Sequence, residues 1–231
     1  MKYLNRTLIL IFLLSWIPTT ICRSQQYMRI HADFSIKVRR PTGGQSLTMG
    51  RVFYDRGIRQ IIYNLTFPEP ETWVSSDTLL YRIRDGKVVS RTFSPSMADF
   101  SVFHLALSSH LQNFGLNLTK YEPKSVTREK DQVITSWEPP LAASDKLGKI
   151  LVSTKNKQLF GVVFFNPKGE IIRKQFFEDY QVVSGLSFPG KIVEINIFNG
   201  TETYQVTSFK NIIIDESEND DKYYYPVGSL R

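Results

Sequence analysis

A period of two runs through most of this 231-residue chain and confines it to a sheet-built fold. Gly50–Asp55, Arg59–Thr66, Thr72–Ser75, Thr78–Arg84 and Lys87–Phe93 are short, rich in β-branched and aromatic residues, and separated by turn residues. A second series comprises Val133–Trp137, Lys149–Thr154, Gln158–Asn166, Glu170–Glu178, Lys191–Phe198 and Glu202–Lys210. A strand at Asp33–Val38 precedes both. Asp85-Gly86, Asn166-Pro167-Lys168-Gly169 and Asn199-Gly200 are turn signals, the last two each predicting a hairpin, and Pro68-Glu69-Pro70 marks another turn. About eleven strands joined mainly by hairpins predict a mainly β domain, a large antiparallel sheet either curved or closed.

One segment departs from this period. From Ser96 to Gly115 the residues Phe100, Phe103, Leu107, Leu111 and Phe114 recur at three- and four-residue spacing, predicting an amphipathic helix. Ser94 or Ser96 suits its N-cap and Gly115 its end. A helix set among strands must lay its apolar side on the sheet. No linker or repeat divides the chain. Residues 25–214 read as one domain, and 215–231 as a mobile tail, acidic from Asp215 to Asp221 and aromatic after it.

The N-terminus carries an export pattern. Lys2 and Arg6 precede an apolar run from Leu8 to Ile17, and Cys22-Arg23-Ser24 provides small residues for a signal peptidase, so 1–24 reads as a signal peptide. The run is too short to cross a bilayer of about 30 Å as a helix. The alternative is a lipid anchor through Cys22, the lone cysteine; the domain that follows relies on core burial, not on disulfides. The net charge of +7 falls to +4 once Lys2, Arg6 and Arg23 are removed. The remaining bases, such as Arg39-Arg40, Arg82-Arg84, Lys155-Lys157 and Arg173-Lys174, are scattered as on solvated strand faces, which argues against nucleic acid as a partner.

Catalytic patterns fail on inspection. His31, His104 and His110 have no carboxylate or thiol at ligand spacing, so no metal site is expected. Gly185-Leu186-Ser187-Phe188-Pro189 has proline where a nucleophile elbow needs its second glycine. No glycine-rich phosphate loop precedes a helix, and Glu138, Glu178 and Asp179 are isolated acids. The expectation is a protein without cofactor or enzymatic activity. Asn64, Asn117 and Asn199 each begin an Asn-x-Thr triplet, which has meaning only in a eukaryotic secretory pathway.

The apolar content exceeds what one sheet and one helix hide. Ile61, Tyr63 and Leu65 share one face of their strand, while Gln60, Asn64 and Thr66 share the other with Ile62, predicting one apolar and one mostly wet face. A half-covered curved sheet of this kind presents an apolar concavity suited to a helix, a partner's side chain or an acyl chain. Tyr54, Ile61, Tyr63, Leu65, Trp73 and Leu80 are its candidate lipid-binding wall, and Phe103, Leu107 and Leu111 its cover. The plainer reading is that the last three simply fill the hollow as core.

Residues 50–88 resemble the first half of the bacterial outer-membrane lipoprotein carrier family, LolA and its receptor relative LolB. The resemblance lies in Gly50 before Phe53-Tyr54, then Ile61–Leu65, Pro68–Glu71, Val74-Ser75 and Leu79–Tyr81. It continues through Phe100–Leu111, the hairpins after Val133, and Phe188-Pro189 leading into Lys191–Ile197, to about Ile214. It implies an open, incomplete antiparallel β-barrel with covering helices. It also implies a periplasmic carrier that shelters lipoprotein acyl chains or another lipid between an inner-membrane donor and an outer-membrane acceptor. The alternative is an envelope scaffold that uses the same half-barrel to hold a protein partner.

Overall fold

Two-residue turns govern the layout. At Asp85-Gly86 and Asn199-Gly200 both residues have positive φ (50° and 71°, 49° and 73°), the geometry whose twist matches that of a tight antiparallel hairpin. The computed structural model describes residues 26–94 and 99–229; the stretch read as a signal peptide, with Cys22, and the capping candidate Ser96 lie outside the described residues. Six strands come first: β1 (Arg29–Arg39), β2 (Gln45–Asp55), β3 (Gln60–Phe67), β4 (Glu71–Ser76), β5 (Leu79–Arg84) and β6 (Lys87–Phe93). After helix α1 (Val102–Leu107) come β7 (Glu122–Glu129), β8 (Gln132–Glu138), β9 (Ile150–Lys155), β10 (Gln158–Phe165), β11 (Ile171–Val183), β12 (Leu186–Phe198) and β13 (Thr201–Ile214).

All thirteen strands form one antiparallel sheet in the order β6-β5-β4-β3-β2-β1-β13-β12-β11-β10-β9-β8-β7. Two meanders are thus sewn together by β1, which pairs with β2 on one side and β13 on the other; Phe34 stands opposite both Gly50 and Phe209. The sheet does not close. β6 and β7 are its two outer edges, and the connection between them, described at 94 and over 99–121, joins one edge to the other. This crossing places α1 on the concave face, where it packs against β12.

The expected helix over 96–115 is shorter than its periodicity. α1 has six residues, capped by Ser101, whose side chain accepts a hydrogen bond from the His104 amide. Two 3-10 turns follow, at Leu111–Asn113 and Leu116–Leu118. Ser108 Oγ donates to the His104 carbonyl, and Ser109 (φ 61°) and Phe114 (φ 54°) take left-handed backbone that ends helical continuation. Phe103, Leu107, Leu111 and Phe114 still reach one core.

The strand count exceeds the expected eleven. β7, with sequence EPKSVTRE, is exposed at every residue, so no apolar alternation betrays it. The outer face also departs from expectation, for Ile62 is not on a wet surface. It joins Phe53, Val74 and Ile83 in a second cluster closed by Tyr223, which is fully buried. The expected mobile tail therefore lies against the convex face as far as it is described. Arg29 bridges Asp55 (2.6 Å) and Asp220, and the Gln60 amide both donates to the Tyr225 carbonyl (3.1 Å) and accepts from its N–H (2.9 Å).

Candidate apolar cavity and its polar floor

Alternation sends every second side chain of β3, β11, β12 and β13 to the concave face. Ladder register then sorts these side chains into rows. Phe177, Ile192 and Thr207 form one row, Gln175, Glu194 and Gln205 the next, and Arg173 and Asn196 the one beyond. The segment carrying α1 roofs the first row and leaves a cavity of about 630 Å³, within the roughly 300–1,000 Å³ of ligand sites.

The closed end of the cavity is aromatic. Phe103 stacks on Phe188 (centroids 5.8 Å apart, planes at 16°), and both meet Phe209 edge-on at 5.4 and 5.5 Å. Phe114 rests edge-on against Phe164 at 5.7 Å. Such contacts fix a rigid apolar wall without using any polar group.

The floor then turns polar. Gln175 Nε2 donates to Glu194 Oε2, and Asn196 Nδ2 donates to Glu194 Oε1 at 2.6 Å. Gln175 Oε1 is buried without a hydrogen-bond partner. Arg173 lies with its guanidinium carbon 4.0 Å from the centre of the Phe164 ring. No carboxylate of the described residues comes within ion-pair distance of it. Arg173 is half-buried and borders the cavity.

The nine candidate residues occupy several places. Ile61, Tyr63 and Phe103 line the cavity. Tyr54 is buried under α1, where its hydroxyl lies 2.7 Å from His104 Nδ1. Leu65 and Leu107 are core, and Leu111 borders a separate hollow of about 190 Å³ with Leu159 and Leu186. Trp73 packs on the core margin and donates its indole N–H to Glu71 at 2.7 Å. Leu80 is half-buried on the concave face of β5, opposite Ser75, and does not border the cavity.

Burial sets the local electrostatics. It pushes the phenols of Tyr54 and Tyr63 above their ordinary range and holds the His104 imidazole below its own. At Glu71 burial pulls upward, but hydrogen bonds from Arg82 and Trp73 overcome it and lower the carboxyl. Among the described residues no three metal-ligating side chains are grouped to hold an ion, and no helix is long and apolar enough to cross a membrane.

Sequence reasoning missed Phe164 and Phe209 on the wall, and Phe177, Ile192, Gln175 and Glu194 on the floor. Alternation along β11 (Arg173, Gln175, Phe177) carried the signal. It became readable only once one residue of the strand was known to face inward.

Solved structures share this architecture. The chain is similar to a LolA superfamily protein from Nitrosomonas europaea, with a TM-score of 0.58 and 12% identity over 87% of this chain and 92% of that one. It is also similar to a DUF1329 family protein from Desulfovibrio piger, with a TM-score of 0.60 and 12% identity over 88% and 92%. At this identity the likeness is one of fold, and the fold is LolA-like: an open antiparallel sheet with few helices. The sequence matches no protein-family model and no curated protein.

Proposed function

We propose that the protein is an exported, periplasmic lipid carrier without enzymatic activity. In this reading it shelters the acyl chains of a lipoprotein or another lipid from water and delivers them from an inner-membrane donor towards an outer-membrane acceptor. The observation that carries the reading is the cavity of about 630 Å³ between a short helix and the concave sheet, with an aromatic closed end. An acyl chain placed there loses contact with water at about 0.8 kcal/mol per methylene. A LolA-like fold supports the reading, and so does the export pattern of residues 1–24.

The roof must yield for cargo to enter. α1 is one turn and a half long, and its polar ties to the sheet include Tyr54–His104 and a hydrogen bond from Arg56 Nη1 to the Leu107 carbonyl at 3.2 Å. Local opening of such an element costs less than global unfolding. Native mass spectrometry of the protein purified from its own envelope tests the proposal. A co-purified acyl species is the expected result. An empty protein that retains a stoichiometric polypeptide would replace the carrier with the scaffold reading.

A further inference from the structure

We propose that the cavity takes its amphiphile in one orientation and reads a head group of defined order: chain, then an N–H or O–H donor, then an anion. The proposal rests on the lipid-carrier reading. N-acyl amino acids and acyl lysophosphatidic acids share this order, and the chemistry common to them is what the floor would recognise.

The order is written along β11. Phe177, Gln175 and Arg173 succeed one another on the concave face, two residues apart, as the floor leaves the aromatic end. Successive residues on one face stand about 7 Å apart. Phe177 is buried beside Phe114 (centroids 6.2 Å), as an acyl chain requires.

Gln175 supplies the second requirement. A carboxylate only accepts hydrogen bonds, so the side of the Gln175 amide facing Glu194 must be its NH₂. That fixes the other end: Oε1 is an acceptor, buried, with no donor. A buried acceptor left unpaired is costly, and a ligand N–H or O–H at this row removes that cost.

Arg173 supplies the third. Its guanidinium borders the cavity, has no carboxylate partner among the described residues, and is held over the face of Phe164 at 4.0 Å. Its guanidinium carbon is held over the ring while no hydrogen bond to a described residue occupies its N–H donors, an arrangement suited to capture of a carboxylate or phosphate. Glu194 on the same floor makes no ion pair with Arg173; its oxygens accept from the Gln175 and Asn196 amides, which leaves the guanidinium as the donor for an incoming anion.

The test is a competition series against a fluorescent fatty acid on the full mature chain. N-dodecanoylglycine has chain, N–H and carboxylate; its methyl ester lacks the anion, and N-dodecanoylsarcosine lacks the N–H. Dodecanoyl lysophosphatidic acid presents the same order with an O–H and a phosphate. We expect the glycine conjugate and the lysophosphatidic acid to displace the probe at least tenfold more tightly than the ester, and the glycine conjugate several-fold more tightly than the sarcosine. Arg173→Gln should bring the acid-to-ester ratio to about one, and Gln175→Leu the glycine-to-sarcosine ratio. Equal binding of acid and ester by the unaltered protein overturns the oriented head and leaves the carrier reading standing. So does inorganic phosphate displacing the probe as well as the lysophosphatidic acid. Failure of every amphiphile to bind removes the carrier reading together with the inference.

Discussion

The Tyr54 hydroxyl lies 2.7 Å from Nδ1 of His104 and so ties the roof of the cavity to its wall. Burial keeps the imidazole neutral, and with its proton on Nε2 the hydroxyl donates to Nδ1. Loss of one such bond costs about 1 kcal/mol, or roughly fivefold in an opening equilibrium. Tyr54→Phe is therefore expected to speed hydrogen exchange at the α1 amides about fivefold and to leave the β10–β11 hairpin unchanged. Saturating amphiphile should slow the same amides, because a ligand bound only under the docked roof stabilises it by about 2.7 kcal/mol at a hundredfold excess over Kd.

Acidification should destabilise the fold through two histidines. Burial holds both His31 and His104 below the ordinary imidazole value of 6.5, and at His31 the nearby Glu216 carboxylate (3.2 Å) opposes this without prevailing. Just below that pH the unfolded chain binds more protons than the folded one, so stability falls as pH drops from about 6.5 towards the lowered folded values. Urea midpoints compared at about pH 7.5 and pH 5.5 should show this loss, and the double change His31→Gln/His104→Gln should flatten it. A midpoint that rises on acidification would mean that Glu216 governs His31 after all.

Tyr223 holds the tail on the convex face, and its ring meets Phe53 edge-on at 5.5 Å. Tyr223→Ala should cost about 3 kcal/mol, as buried aromatic truncations do, and lower the urea midpoint accordingly. Amphiphile affinity should stay within twofold of the parent, because the sheet separates this cluster from the cavity.

Cavity volume is the next lever. Ile192 is half-buried on the floor and borders open space. Ile192→Trp adds bulk where there is room for it, so the usual overpacking cost of about 1–3 kcal/mol should be largely avoided. Binding of a long-chain amphiphile, followed by probe displacement, should weaken at least tenfold while the thermal midpoint moves little.

Gly50 tests the join between β2 and β3. A Cβ there would sit 2.0 Å from the Asn64 carbonyl oxygen, a backbone atom that cannot step aside. Gly50→Ala should therefore break the local pairing at Leu65 and cost 2 kcal/mol or more, on the order of other buried steric clashes, measured by urea unfolding. The same close approach explains why glycine precedes the Phe53-Tyr54 pair.

Much of this architecture was legible because backbone chemistry is local. Asp85-Gly86 and Asn199-Gly200 announce their hairpins without reference to the rest of the chain, and the alternation of Ile61, Tyr63 and Leu65 fixes the inner face of β3. What stayed hidden depended on distant partners. β7 is defined by pairing with β8, not by anything in its own polar sequence. Ile62 is buried by Tyr223, more than a hundred and fifty residues away. The apolar spacing after Phe100 was genuine, but Ser109 and Phe114 bend the backbone and divide one expected helix among a helix and two turns. Of the site, Phe103 with Ile61 and Tyr63 could be read directly. Arg173 and Gln175 could not, since their meaning rests on which way β11 faces.

The sheet ends in two unpaired margins, β6 and β7, and this gives the hollow an unusual freedom. In a closed barrel the number of strands and their stagger together dictate a radius, and the bore can change only if ladders break. Thirteen strands without a closing ladder carry no such constraint. Widening or narrowing needs only a small change of twist shared across twelve intact pairings, so the enclosed volume behaves as an adjustable property of curvature. A calliper, in this sense, describes the molecule better than a cup: its span is not fixed by its strand count.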